Sequence, residues 1–172
     1  KSEIPLVLMT YLNPVFHYGY ERFFEQCEAL SVDGIIVPDL PYEEKEEVSG
    51  IAGKHGVDTI SMIAPTSKER IQMIAADSKG FLYVVSSMGV TGVRTAIETD
   101  LTSIMASIRE VSDLPAAVGF GISIPTQARE MAAVSDGAIV GSAIVKLIEK
   151  YGDEAEEPLK EYVRKMKEAI KK

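Results

Sequence analysis

Ala116-Ala117-Val118-Gly119-Phe120-Gly121-Ile122-Ser123 is a short apolar run that ends on two glycines around a phenylalanine, late in a chain of 172 residues. Two similar passages flank it. Ser86-Ser87-Met88-Gly89-Val90-Thr91-Gly92-Val93-Arg94 follows the apolar run at 81–86, and Gly141-Ser142-Ala143 follows the run at 138–140. Bare glycines let backbone N–H groups approach an anion closely, and a helix starting at Gly141-Ser142 adds its positive end. One glycine loop is a weak signal, because glycines also serve tight turns. Three in succession, after the later strands, are stronger. A doubly wound dinucleotide fold carries its glycine fingerprint after the first strand, but here the first strand runs into Asn13-Pro14-Val15-Phe16. Phosphate loops after the last two strands are the pattern of a (β/α)8 barrel.

Working outward, β-rich apolar runs recur at Pro5 to Tyr11, Gly34 to Pro38, Thr59 to Ala64, Phe81 to Ser86, Ala116 to Val118 and Ala138 to Val140. Most are apolar on consecutive positions, as a parallel strand covered on both faces requires. Helical patterns lie between them. Phe23, Cys27 and Leu30 share one face, as do Leu101, Ile104, Met105, Ile108 and Val111. Thr66 with Glu69 reads as a capping box, Pro125 suits a helix first turn, and Gly34, Gly80 and Gly137 stand just before strands. The stretch Lys146 to Lys172 reads as an amphipathic covering helix with Leu159, Tyr162, Val163, Met166 and Ile170 as its apolar stripe. Strand and helix alternate throughout, so the class is α/β, in a single domain over residues 1–172.

Composition narrows the function. The chain is 46% hydrophobic and 26% charged, with a formal net charge of -8. Its basic residues form no stripe for a phosphodiester backbone, so nucleic acid is not an expected partner. No apolar run approaches the roughly 20 residues needed to span a bilayer. A single cysteine, Cys27, leaves no internal disulfide framework and is expected in the core rather than as a nucleophile. The expected setting is soluble and cytoplasmic. The chain opens Lys1-Ser2-Glu3, without an initiator Met or a leader pattern, which is compatible with a truncated beginning.

Few groups suit acid–base chemistry. Asp39 is the one carboxylate directly after a predicted strand, placed either as a base or, preferably, as a brace between Pro38 and Pro41. His17, in a predicted loop, and His55, at a predicted helix end, have no partner at helpful spacing and read as structural. No His or Cys cluster supports a metal. The segment Ser87 to Asp100 is long for a connection and reads as a lid hinged at Gly89 and Gly92. Tyr11, Tyr83 and Phe120 offer aromatic walls for a flat substrate beside a phosphate, although aromatic residues on strands are more often core. The residues therefore describe a phosphate-anchoring half-site short of catalytic groups.

Five strings, in order and spacing, resemble the tryptophan synthase alpha subunit family: Leu12-Asn13-Pro14-Val15-Phe16, Val37-Pro38-Asp39-Leu40-Pro41, Gly89-Val90-Thr91-Gly92, Gly119-Phe120-Gly121-Ile122-Ser123 and Gly141-Ser142-Ala143-Ile144-Val145. The resemblance implies a phosphate-binding TIM barrel of which this chain holds six of eight βα units, from the third onward. It implies a lyase that cleaves indole-3-glycerol phosphate to indole and glyceraldehyde 3-phosphate in tryptophan biosynthesis. Gly92, Gly121, Gly141 and Ser142 would hold the phosphate, with Tyr83, Phe120, Tyr11 and Ile36 near the carbon skeleton. Thr91 would belong to the lid, and Asn13 and Pro14 to the loop facing a beta subunit in an alpha2beta2 assembly. Pyridoxal phosphate is expected only in that beta subunit, and no cofactor in this chain. The family's catalytic glutamate and aspartate would precede Lys1, which leaves no catalytic residue here and an inactive isolated chain. Two other readings stay open: a different phosphate-binding barrel such as phosphoribosylanthranilate isomerase, and a non-catalytic module that binds phosphate or docks on a beta subunit.

Overall fold

The computed structural model describes residues 3–85, 94–119 and 121–171. Every described strand runs parallel to its neighbours. Strand β1 (Val7–Met9) pairs with β2 (Gly34–Ile36), and β2 with β3 (Asp58–Thr59). After Ile60 the same extended segment continues as β4 (Ser61–Ile63), which pairs with β5 (Leu82–Val85). Then β5 pairs with β6 (Ala116–Gly119), and β6 with β7 (Gly137–Ile139). Spatial order thus equals chain order from end to end. A doubly wound sheet reverses direction at a switch point, whereas a barrel does not. This is the strand order of six consecutive barrel units.

Helices separate the strands: α1 (Leu12–Tyr18), α2 (Tyr20–Ala29), α3 (Glu46–Lys54), α4 (Lys68–Ala76), α5 (Arg94–Arg109), α6 (Pro125–Val134), α7 (Ser142–Tyr151) and α8 (Glu156–Ala169). Several expectations are corrected in detail. The third predicted strand changes hydrogen-bonding partner at Ile60, so it belongs to two ladders. The single terminal helix is two, because Gly152 at φ +53° breaks it between α7 and α8. Ser67, not Thr66, caps α4, its hydroxyl accepting from the Arg70 N–H at 3.3 Å. Gly34 and Gly137 open their strands rather than preceding them. Leu30 is 71% exposed, because it lies beyond the end of α2 and leaves the Phe24–Cys27 face. Pro125 opens α6 as expected, and the Gln127 side chain reaches back to the Ser123 and Ile124 N–H groups.

The apolar interior has two centres. Val15, Phe24, Cys27, Ile35, Val48 and Ala52 bury the layer between β1–β3 and α1–α3, while Ile63, Leu82, Val84, Leu101, Ile108 and Val118 bury the layer under α4–α6. Cys27 is 3% exposed, and burial raises its thiol pKa. Links across the seam combine polar contacts with one apolar one: Tyr42 and Lys45 both donate to the Asp77 carboxylate, Arg70 grips Glu43 through two nitrogens at 2.6 and 3.1 Å, and Tyr42 also packs against the second centre. The two ends of the sheet keep apolar side chains in the open. Ile4 and Leu6 precede β1 and Met9 ends it, while Val145, Ile148 and Tyr151 lie on α7, which buries none of its residues.

Candidate functional site

Because all strands run the same way, their C-terminal ends share one rim, and the predicted residues must be sought there. Tyr11 lies two residues past the end of β1, as the residue before α1, and is 66% exposed. Ile36 closes β2 at 6% exposure, opposite Met9 of β1, and its carbonyl accepts from the Thr10 N–H at 3.1 Å. Tyr11 and Ile36 therefore sit at the ends of neighbouring strands. Gly121, at φ +74°, follows β6, and Gly141 and Ser142 follow β7, again neighbours. Tyr83 lies between the two groups on β5, level with Ala117 of β6. Gly92, Thr91 and Phe120 lie outside the described residues, as do Gly89 and the 87–93 portion of the predicted lid. The lid's other part is corrected: the backbone is already helical from Arg94, two turns earlier than a loop reaching Asp100.

The anion-binding chemistry concentrates at α7. A helix exposes its first backbone N–H groups, and these attract an anion unless a side chain caps them. At α6 the Gln127 carboxamide already occupies that role. At α7 the residue before the helix is Gly141, and no side chain caps it. The Gly141 carbonyl accepts from Ile144 and Val145 at 2.9 and 3.2 Å. A Cβ at Gly141 would meet nothing within 4 Å, so the approach from solvent is open.

Tyr83 supplies the ring-sized wall. Its side chain lies over Gly119: a Cβ added there would sit 2.6 Å from the Tyr83 Cε1. Glycine is required at 119 for the ring to lie across the neighbouring strand. Burial raises the Tyr83 phenol pKa, which keeps the hydroxyl a neutral donor and acceptor.

Asp39 is a brace, as preferred: its Oδ1 accepts from the Leu12 N–H at 2.9 Å and so fixes the start of α1. Asn13 and Pro14 are exposed, but in the first turn of α1 rather than in a loop, where proline is tolerated because early N–H groups lack intrahelical partners. His17 is likewise helical, in the last turn of α1. His55 has the partners that spacing alone missed: Nδ1 lies 2.7 Å from Glu28 and Nε2 3.5 Å from Glu21, both on α2. Their separations in sequence, 27 and 34 residues, fit no helical or strand period. Among the described residues no helix is long and apolar enough to cross a membrane.

The sequence model of the tryptophan synthase alpha chain matches residues 1–171. The chain belongs to the tryptophan synthase alpha chain family. Alpha chains of Lacticaseibacillus casei and Lactiplantibacillus plantarum are 44% and 47% identical over 99% of this chain. The chain spans 64% of the length of each of these curated relatives. Among solved structures, the tryptophan synthase alpha subunit of Campylobacter jejuni superposes with a TM-score of 0.87 at 34% identity, covering 94% of this chain and 66% of that one. A Pyrococcus furiosus structure described as the tryptophan synthase a2b2 complex gives 0.82 at 37% identity, covering 96% of this chain and 67% of that one. Likeness to these alpha subunits bears out the barrel reading of the six units.

Proposed function

We propose that residues 1–172 form the phosphate-holding part of one barrel domain in a cytoplasmic tryptophan synthase alpha subunit. The whole subunit cleaves indole-3-glycerol phosphate to indole and glyceraldehyde 3-phosphate beside a beta subunit. The observation that carries this reading is the uncapped start of α7 at Gly141-Ser142, on the same rim as Gly121 and Tyr83. In this reading Gly92, Gly121, Gly141 and Ser142 hold the phosphate, and Tyr83, Phe120, Tyr11 and Ile36 border the indole and glycerol carbons. Thr91 serves the lid, while Asn13 and Pro14 face the beta subunit.

Breaking the carbon–carbon bond needs a proton delivered to the indole ring and one withdrawn from the glycerol hydroxyl. Asp39 accepts the Leu12 N–H through Oδ1, which favours its reading as a brace over that of the base. Acid and base then come from the part of the family's length that these residues do not span. The test joins the leading third of the Lacticaseibacillus casei alpha chain to this chain and measures indole release, with and without a beta subunit. The hybrid is expected to cleave the substrate, and Ser142→Asp to raise KM about tenfold or more by setting a carboxylate against the phosphate. A folded hybrid that releases no indole overturns the assignment. Cleavage by the 172 residues alone refutes the placement of the acid and base.

A further inference from the structure

A large cleft contains none of the predicted site residues, although at one end it reaches the strand-end rim through Val37, Pro38, Ala64, Pro65 and Val85. It measures about 1080 Å³ and runs between α3 and α4, outside the sheet at the point where β3 gives way to β4. From α3 it takes Glu46, Ser49, Gly50, Gly53 and Lys54, one helical face; from α4, Arg70, Ile74 and Asp77. Its sheet wall includes Thr59 and Ser61.

Three observations at the lower end of this cleft are unexplained by the fold. Thr59 shares the face of its register partner Ile35, and its hydroxyl oxygen is buried without a hydrogen-bond partner among the described residues. Such a group is unfavourable unless something completes it. Gly50 and Gly53 stand inside a nine-residue helix although a Cβ at either would meet nothing within 4 Å, so close packing does not require them. Lys54 and Lys79 border the cleft and form no ion pair among the described residues.

The nearby carboxylates do not neutralise those two lysines. Asp77 is held by Lys45 and Tyr42, and Lys79 reaches it only through its field. Asp58 also lines the cleft, with its Oδ2 3.3 Å from where a Gly80 Cβ would be, and it forms no ion pair with either lysine among the described residues. Glu46 lies at the far end of α3. The cleft thus offers two cations without an ion pair among the described residues, a buried hydroxyl, the bare backbone face of α3 and an apolar lining that includes Val57 and Ile74.

We propose that the end of this cleft around Thr59, Lys54 and Lys79, which shares no lining residue with Gly121, Gly141 or Ser142, is a second ligand site for a small aromatic carboxylate. The ring slides edgewise against the Gly50–Gly53 face, and the carboxylate takes hydrogen bonds from Lys54, Lys79 and the Thr59 hydroxyl. Charge-assisted bonds of this kind are the strong ones, and the flat body displaces water from apolar wall.

The probe is 2-naphthoate, titrated into the whole chain by calorimetry and by amide chemical shifts. Saturable binding at one site per chain is expected, with shifts at residues 49–61 and 74–80. Lys54→Gln with Lys79→Gln should weaken it about tenfold, and the neutral methyl ester should bind correspondingly less. Thr59→Val should weaken it several-fold, and Gly53→Leu, which fills the cleft without touching a charge, should abolish it. A thermal melt on each variant establishes that it is folded. Absence of binding to the folded wild type overturns the proposal. So does binding that survives both the lysine and the Gly53→Leu changes, or shifts confined to Gly121 and Gly141–Ala143.

Discussion

At the scale of single residues, Gly119 and His55 each carry a measurable consequence. Gly119→Ala sets a methyl group into the Tyr83 ring. Overpacking of this kind costs about 1–3 kcal/mol, to be read as a lower urea midpoint, and Tyr83→Leu in the same chain should recover much of the loss. His55 is held above its ordinary pKa by its hydrogen bond to Glu28, with Glu21 adding to the effect against a desolvation that lowers it. A raised folded pKa means the contribution is complete below the unfolded value of about 6.5 and is lost as pH rises through the folded value. Stability should therefore fall as pH is raised from about 6, and His55→Gln should flatten that dependence. Glu43 has the opposite sign: the Arg70 hydrogen bonds hold its carboxyl down to about 2, so its contribution is present at neutral pH and disappears as pH falls toward that value. Acid titration of Arg70→Met should lack that component. Residue roles were readable where they depend on local pattern, as with Cys27 in the core and Pro125 at a helix start, whereas the brace expected of Asp39 between its prolines proved to hold a distant segment through the Leu12 N–H. They were unreadable where two distant segments meet, since neither the Tyr83–Gly119 approach nor the His55 carboxylates leave a periodic trace.

At the scale of elements, α3 is weaker than its position requires. Gly50→Ala adds a methyl group in open space and removes the backbone entropy penalty of a helical glycine, about 0.5–1 kcal/mol. A rise of the denaturation midpoint by that amount is expected. Six strands were visible as apolar runs because a parallel strand buried on both faces leaves a continuous signature. The partner change at Ile60 was not visible, because an apolar run says nothing about which edge is hydrogen-bonded. The division of the last helix turns on Gly152 at φ +53°, and a glycine in a charged stretch resembles any surface turn. The glycine loops after the later strands were readable, and so was their barrel placement. The capping that separates α6 from α7 was not, since it rests on the Gln127 side chain folding back.

At the scale of the whole molecule, both ends of the sheet carry apolar surface. Val145 is 63% and Ile148 48% exposed on one end, and Ile4 is 78% and Met9 55% exposed on the other. Contiguous exposed apolar surface favours association. The isolated chain is expected to self-associate in sedimentation, and Val145→Lys with Ile148→Lys to shift it toward monomer without altering its far-ultraviolet spectrum. An unchanged distribution would mean that this face is not the contact.

The change of partner at Ile60 also bears on how the molecule comes apart. With one apolar centre on each side and, between them, polar links and the packing of Tyr42, opening one side need not expose the whole of the other. Amide hydrogen exchange should then resolve two protection levels, one for β1–β3 and one for β4–β7, that respond separately to Phe24→Ala and Leu82→Ala. A single common level would make the chain one cooperative unit, with the seam as firm as either side.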